Sequence, residues 1–434
     1  MRASSEPPGG VRWLPGPQNV RLQRDVSWSF GGNVAYALSQ WLILIAFARW
    51  LPLESVGRFA LALAIVTPVM ALSNLSLRTV QATDAAREHS FALYLMIRAV
   101  TGGVMLVLVI ALTLVSVPEL LSLVVLVAGF KLLESLGDIA HGYAMVRQRI
   151  DRVGWSKIVR ALIVAPVTLV FVKATGSLGG GVTGMNVGMA LALIVYDWPL
   201  VRRLQAGDPA QFTGRNPDRQ HYHEALGVVW RALPLGLGAA LIALQPSTPR
   251  YLLAVTEGER GLAVFAATAY LMTLGVLVSN ALGESTVASL ARASLNRDQP
   301  EFVAILRRVV VAAGVVGGAG LVAAATIGTP AIGAIYGSDF ADHSLTVLIG
   351  LATALAMIAS SLGYALLALH RFRSQFSAAA AAVVSTVIVS IALIPPLGVR
   401  GAAAALCVGF MVQGGISLVF VRAGIRTMGR PSVP

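Results

Sequence analysis

The chain has 434 residues, of which 56% are hydrophobic and only 12% are charged. Soluble globular domains carry about 25% charged residues, so the composition argues against a soluble enzyme and predicts a polytopic membrane protein. The net charge of +13 would suit a nucleic-acid partner, but its distribution along the chain, described below, argues against one.

The apolar residues are gathered in twelve windows that follow a tail rich in Pro, Gly and Arg. We expect the tail to be disordered, and about 20 apolar residues are enough to cross the hydrocarbon core of a bilayer. The single cysteine, Cys407, lies in the last window, which excludes an intramolecular disulfide. In chain order the windows lie near residues 27–48, 57–77, 91–116, 119–145, 157–173, 177–200, 227–254, 261–283, 303–327, 344–369, 375–396 and 400–421.

The longest polar connection divides the windows into six and six. When the second half is displaced by 206 positions, residues 59–74 align with residues 265–280, with five of sixteen positions identical. Because each half holds an even number of spans, the halves are parallel and related by an axis along the membrane normal. The sequence predicts an all-α polytopic membrane protein with about twelve transmembrane helices in two parallel six-helix lobes around a central cavity. The predicted segments are a cytoplasmic tail at 1–25, a lobe at 26–201, a cytoplasmic linker at 202–225, a lobe at 226–423 and a cytoplasmic tail at 424–434.

Lysine and arginine are distributed unevenly between the two sides of the predicted membrane. With the N-terminus in the cytoplasm, 25 of the 33 fall on cytoplasmic segments, and only Arg98 and Lys131 lie well inside spans. This asymmetry is the positive-inside rule, and it predicts that both termini are cytoplasmic. The excess positive charge then reflects membrane topology, and we expect no nucleic-acid partner.

The fourth window carries four ionisable residues, although a charge near the bilayer centre is costly and usually faces a bundle interior or a cavity. They are Lys131, Glu134, Asp138 and His141. At 100° per residue they fall within an arc of roughly 80°, on one face of a helix. This face either lines a water-filled cavity between the lobes or holds a self-satisfied Lys131–Glu134 pair that helps two helices associate.

Other spans carry narrower polar stripes. Asn280 and Glu284 repeat the positions of Asn74 and Arg78 at the same displacement of 206 residues, which predicts a gate between Arg78 and Glu284. The alternative for Arg78 and Arg98 is snorkelling of the side chains to the cytoplasmic interface. The further candidates for cavity lining are Asn33 and Gln40 in the first span, Asn74, Arg78 and Gln81 in the second, and Arg98 in the third.

The seventh span contains three prolines, Pro234, Pro246 and Pro249, with Gln245 and Arg250 beside the last two. Proline removes a backbone donor and kinks a helix. Broken helices mark binding sites or hinges in transporters. The alternative is a proline cluster at the outer end of the span without such a role.

Motifs of soluble catalysis are missing from the sequence. It contains no phosphate-cradling P-loop, and His221 and His223 in the polar linker make a poor metal site. Outside the tails and the linker no loop exceeds about 16 residues, which leaves no room for a catalytic domain. We therefore expect a protein that is not an enzyme and that holds no cofactor and no metal.

The stretch "ESLGDIAHGYAMVRQRIDRVGWSKIVRALI", Glu134 to Ile163, resembles Wzx-type polysaccharide flippases. These belong to a superfamily that includes the multidrug and toxic-compound extruders and the lipid II flippases. "NLSLRTVQATD", "LPLESVGRFALALA" and "AIYGSDF" resemble further segments of the same family. The resemblance covers nearly the whole chain in span count, central linker and parallel repeat.

The resemblance implies a flippase of the bacterial cytoplasmic membrane that works by alternating access. It would move an undecaprenyl-pyrophosphate-linked oligosaccharide to the periplasmic leaflet for assembly of O-antigen, capsule or exopolysaccharide. The implied partners are this substrate, membrane lipid, a polysaccharide polymerase and a chain-length regulator. Arginine suits a pyrophosphate because of its fixed fork of donors. The candidate ligands for the substrate are Arg78, Arg98 and Lys131, and those for ion coupling or gating are Glu134, Asp138 and Glu284.

Two other functions remain open at this point. A drug exporter of the multidrug and toxic-compound extrusion type would transport small organic cations without dependence on a glycan. A membrane glycosyltransferase or polymerase would need a large outer loop with catalytic residues. The longest outer segment, near residues 329–344, is too short for this role, although it contains Asp339 and Asp342.

Overall fold

Twelve helices long and apolar enough to cross a membrane are present in a computed structural model, which describes residues 17–83, 89–206 and 220–428. All the regular structure within these residues is helical, which confirms the predicted fold class. The spans are α1 (Trp28–Trp50), α2 (Leu53–Ala82), α3 (Phe91–Ser116), α4 (Pro118–Val146), α5 (Ile150–Thr175), α6 (Leu178–Ala206), α7 (Glu224–Thr256), α8 (Gly258–Gly283), α9 (Gln299–Tyr336), α10 (His343–Ala368), α11 (Phe372–Leu397) and α12 (Val399–Met428).

Several helices run further than the apolar windows. The helix that contains α1 begins at Pro17, within the segment expected to be a disordered tail. On either side of the predicted linker, α6 ends at Ala206 and the helix of α7 begins at Gln220. A hydropathy window ends at the first polar residues, whereas a helix satisfies its own backbone hydrogen bonds and continues beyond the hydrocarbon core.

Most helix contacts fall within two groups, α1–α6 and α7–α12, which we call the first and second lobes. Small residues bring the helices of each lobe together. A Cβ atom at Gly32 of α1 would lie 2.5 Å from the carbonyl oxygen of Gly154 in α5. A Cβ atom at Gly401 of α12 would lie 2.1 Å from the carbonyl oxygen of Leu393 in α11. Close backbone approach at glycine is typical of helix packing in membranes.

The lobes are joined by polar contacts on the side of the membrane where α1 turns into α2, which we call the far side. Here Arg58 of α2 pairs with Glu259 of α8 at 2.7 Å. The Nε of Arg49 donates to the carbonyl of Ile335 at 2.8 Å. Deeper in the membrane, Trp41 donates to the Tyr336 hydroxyl at 2.6 Å. Helices α1 and α2 are therefore held against α8 and α9 at the far side.

The opposite side, on which the described chain begins and ends, we call the near side. Apolar packing joins the lobes there: Ala232 of α7 belongs to the same buried cluster as Leu75 and Ile97 of the first lobe. A Cβ atom at Gly236 would lie 3.0 Å from the carbonyl oxygen of Leu72. Helix α7 thus crosses between the lobes and packs along α2.

Candidate functional site

The polar face of α4 meets a tyrosine from α1. Lys131 Nζ lies 2.8 Å from Glu134 Oε2, and the hydroxyl of Tyr36 donates to Glu134 Oε1 at 2.7 Å. The side chains of Lys131 and Glu134 are 25% and 21% exposed. The pair that the sequence offered as the alternative is therefore formed, and it is also held by a second helix.

One turn further along α4, Asp138 and His141 lead into a buried chain of polar groups. His141 is fully buried, and its Nδ1 lies 3.4 Å from Asp138 Oδ1. Its Nε2 lies 2.8 Å from Ser156 Oγ, which donates in turn to Asp197 Oδ1. The chain runs from half-buried Asp138 on α4 through α5 to α6. We use the name first-lobe cluster for the following side chains: Tyr36, Lys131, Glu134, Asp138, His141, Ser156, Arg160 and Asp197.

A buried ion pair closes the first-lobe cluster. Arg160 Nη2 and Nε donate to Asp197 Oδ2 at 2.9 and 3.2 Å, and both side chains are only 3% exposed. Two local features position the pair. Gly137 leaves room for the guanidinium, since a Cβ atom there would lie 1.7 Å from Arg160 Nη2. Helix α6 contains a π-helical turn at Leu193–Asp197, and such turns re-aim side chains at functional sites.

The remaining first-lobe candidates lie around this cluster. Asn33 accepts a hydrogen bond from Lys157, and Asn74 accepts one from Arg98. The Gln81 side chain is 2% exposed and packs against Gly142, with Oε1 lacking a hydrogen-bond partner among the described residues. These contacts join α1 to α5, α2 to α3 and α2 to α4, respectively.

Two more candidates have side-chain donors without a hydrogen-bond partner among the described residues. The backbone carbonyl of Arg78 faces Gly142, and its half-buried side chain makes no hydrogen bond or ion pair with a described residue. The Nε2 of Gln40 is buried without a hydrogen-bond partner in the described part of the chain. Both are available to bind a ligand or water.

The second lobe contains a cavity of about 510 Å³. It runs along α7 and α8 from Arg250, near the far side, to Asn280 and Tyr364, and to Gln375 at the near side. Among its described lining residues Arg250 is charged and the other polar groups are neutral. The volume is within the range of small-molecule sites, about 300–1,000 Å³.

No protein-family model matches the chain. The capsular polysaccharide biosynthesis protein CapF of Staphylococcus aureus is 20% identical to it over 398 residues, which are 90% of this chain and 97% of that protein. Among solved structures, a MOP superfamily transporter from Pyrococcus furiosus superposes with a TM-score of 0.67 at 15% identity, covering 95% of this chain and 96% of that one. A MATE transporter of Vibrio cholerae, VcmN, gives a TM-score of 0.65 at 12% identity, covering 94% and 97%.

The chain has the fold of the MOP superfamily transporters. The structure brings several of the sequence candidates together and leaves others apart. Lys131, Glu134, Asp138 and His141 share the α4 face of the first-lobe cluster, together with Asn33 through Lys157. Arg98 forms its own pair with Asn74. The backbone of Glu284 lies in the helix Leu271–Leu295, which continues beyond the end of α8, but its side chain lies outside the described residues, so the predicted gate with Arg78 stays a prediction.

Sequence reasoning did not single out the inner members of the cluster as a site. Ser156 and Arg160 entered only through the resemblance, and Asp197 was not named at all. A signal was present, because Asp197 is the one acidic residue in the sixth apolar window and Ser156 and Arg160 are four residues apart on one helix face. Which face of α6 met α5 could not be read from periodicity, because the π-helical turn shifts the register.

Proposed function

We propose that this protein is a flippase that moves an undecaprenyl-pyrophosphate-linked oligosaccharide from the cytoplasmic to the periplasmic leaflet of a bacterial inner membrane. The observation that carries the proposal is the match to CapF, which covers 97% of the length of CapF. The name of that protein assigns it to capsular polysaccharide biosynthesis. The fold is that of transporters. Among the steps of polysaccharide assembly, movement of the lipid-linked unit across the membrane is the one that needs a transporter.

The polar interior of the first lobe suits such a substrate. A glycan and a pyrophosphate require a hydrophilic path, whereas the lipid tail remains in the bilayer. Charged residues inside a membrane face a bundle interior or aqueous cavity because their exposure to lipid is costly. The half-buried Lys131, Glu134 and Asp138 are placed to contact water or substrate as the lobes separate.

We also propose that the first-lobe cluster couples transport to an ion gradient. Glu134 and Asp138 are half-buried, and each lies against a basic group of α4, Lys131 or His141. A proton or sodium ion on either carboxylate would weaken that contact and free the basic group. Such a change biases two conformations when they differ by a few kcal/mol.

A drug exporter of the MATE type is the second candidate, and the MATE fold of the solved relatives favours it. Small organic cations are bound through carboxylates or aromatic faces. The charged residue that lines the described part of the second-lobe cavity is instead Arg250. This chemistry repels a cation, which adds to the match with CapF in favour of the flippase.

Deletion of the gene tests the proposal. The mutant should accumulate a complete lipid-linked repeat unit that remains accessible only from the cytoplasmic face, and a plasmid copy should clear it. Sensitivity to cationic dyes should be unchanged. A mutant with normal surface polysaccharide and raised dye sensitivity would support the exporter and contradict the flippase.

A further inference from the structure

The second-lobe cavity has an unusual wall, because two prolines interrupt the hydrogen bonding of α7 where it borders the cavity. Pro246 and Pro249 lack the N–H groups that would bond to the carbonyls of Ile242 and Gln245, four residues earlier. Both Ile242 and Gln245 line the cavity. Two backbone carbonyl groups on this wall are thus free of their helical partners and can accept hydrogen bonds.

Two side chains on the same stretch also have unused donors. The Gln245 side chain is only 3% exposed and lines the cavity, yet its Nε2 has no hydrogen-bond partner in the described part of the chain. The Nε of Arg250 is buried without a partner as well, and Arg250 makes no ion pair with a described carboxylate. Buried polar groups normally find partners, and an unpaired buried charge is costly. Both side chains can therefore donate to a ligand or to water in the cavity.

The first-lobe cluster differs in its charge balance. Lys131 pairs with Glu134 and Arg160 with Asp197, and Asp138 adds a further carboxylate beside Lys157, whose hydrogen bond goes to the neutral Asn33. An anion entering that lobe therefore binds among both cations and carboxylates and has to compete with the carboxylates for Lys131 and Arg160. An anion entering the second-lobe cavity meets the free charge of Arg250 and no described acidic lining residue.

We propose that the second-lobe cavity binds the anionic, hydroxyl-bearing head group of the transported molecule, with Arg250 on its phosphate or carboxylate and Gln245 on its hydroxyls. The free carbonyls of α7 supply acceptors for further sugar hydroxyls, and the half-buried Phe410 supplies apolar surface for a sugar ring. Transport of this molecule rests on the proposed function, whereas the affinity of the cavity for an anionic group does not. The cavity accommodates a head group rather than a whole oligosaccharide.

Binding of short probes to the purified full-length protein in lipid nanodiscs tests the site by calorimetry. Geranyl pyrophosphate carries the lipid-linked anion and geraniol lacks it, while galacturonic acid and galactose compare an acidic with a neutral sugar. Arg250→Gln should weaken binding of the anionic probe roughly 10- to 100-fold, the loss expected for hydrogen bonds to a charged group. Arg250→Lys should lose less. The matched control is Arg400→Gln, an exposed far-side arginine paired with Asp342.

Unchanged affinity of Arg250→Gln for the anionic probe that binds the wild type would overturn the proposal, and so would the lack of any preference for the anionic member in both probe pairs. So would loss of binding in Arg78→Gln, Arg98→Gln or Lys131→Gln with none in Arg250→Gln, which would place the anion in the first lobe. Binding of galacturonic acid alone supports the site and assigns its anion to an acidic sugar. Binding of geranyl pyrophosphate assigns it to the lipid-linked phosphate.

A second measurement keeps Arg250 intact in case its variants fold poorly. Ser360 lines the cavity, so Ser360→Cys in a Cys407→Ala background reports its occupancy through labelling by a water-soluble thiol reagent. The anionic probe that binds in calorimetry should slow the labelling, and its neutral counterpart should not; equal labelling rates with the two would contradict the site. A deletion mutant without lipid-linked intermediates, combined with Arg250-dependent binding, would defeat the flippase function alone and leave the anion site standing.

Discussion

The buried pair of Arg160 and Asp197 allows a quantitative prediction about what stabilises the first lobe. Both side chains are 3% exposed, and two nitrogens of the guanidinium donate to one carboxylate oxygen. Asp197→Asn removes the negative charge and leaves the guanidinium buried. Breaking a buried pair by removing one partner costs about 3–5 kcal/mol, because the remaining charge is uncompensated.

The far-side pair of Arg58 and Glu259 supplies the matched comparison. Its side chains are 54% and 36% exposed at a separation of 2.7 Å. Exposed pairs contribute about 0–1 kcal/mol, since water and salt screen the charges. Glu259→Gln should therefore lower the free energy of unfolding by less than about a third of the amount by which Asp197→Asn lowers it. A double variant, Arg160→Met with Asp197→Leu, should recover most of the loss, because apolar residues of similar volume often replace a buried pair without penalty.

The assay is reversible unfolding in mixed micelles, followed for wild type, the two single variants and the double variant. A loss of about 3 kcal/mol lowers the folded-to-unfolded ratio on the order of a hundredfold. Equal losses for Asp197→Asn and Glu259→Gln would refute the argument from burial. A double variant that folds well but does not export would show that the pair also acts in transport.

Three further outcomes follow from the geometry of the first lobe. In a cysteine-free background, Asp138→Cys should react with a water-soluble thiol reagent faster than His141→Cys, since their side chains are 31% and 0% exposed; equal rates would contradict a water-accessible α4 face. Gly137→Ala should cost about 1–3 kcal/mol of unfolding free energy by displacing a paired guanidinium, whereas Gly103→Ala, with open space around it, should not. At equal membrane abundance, Arg78→Gln should lose most glycan export and Arg78→Lys should retain part of it. Equal export from Arg78→Gln and the wild type would leave only a snorkelling role for Arg78.

The twelve spans and the α4 face could be read from the sequence for one physical reason. Backbone groups in a bilayer must bond within their own helix, so a long apolar run has a single regular solution. The period of that helix then fixes which residues share a face. Lys131 and Glu134 are accordingly found together, at the i,i+3 spacing.

The partners across helices were beyond reach because they depend on packing. Nothing in the sequence shows that Tyr36 of α1 lies against Glu134, or that a glycine at 137 admits the guanidinium of α5. The polar link expected between the lobes was Arg78 with Glu284 at the near side. Among the described residues, an ion pair between the two lobes joins Arg58 and Glu259 at the far side. The repeat predicts equivalent positions in each lobe, but it does not predict the pair of Arg58 and Glu259. The gate between Arg78 and Glu284 stays a prediction, because the Glu284 side chain lies outside the described residues.

The two lobes share a fold plan but divide the chemistry between them. The first lobe holds two ion pairs on half-buried and buried positions, an arrangement that responds to protons or cations. The described lining of the second-lobe cavity holds neutral polar groups and the cation of Arg250, an arrangement that responds to an anion. A ligand in one lobe changes the occupancy of the other only if both bias the same movement, since coupling requires a differential affinity for the two states. Helix α7 is the element in a position to transmit it, because its broken stretch lines the second-lobe cavity and its near-side end packs into the first lobe.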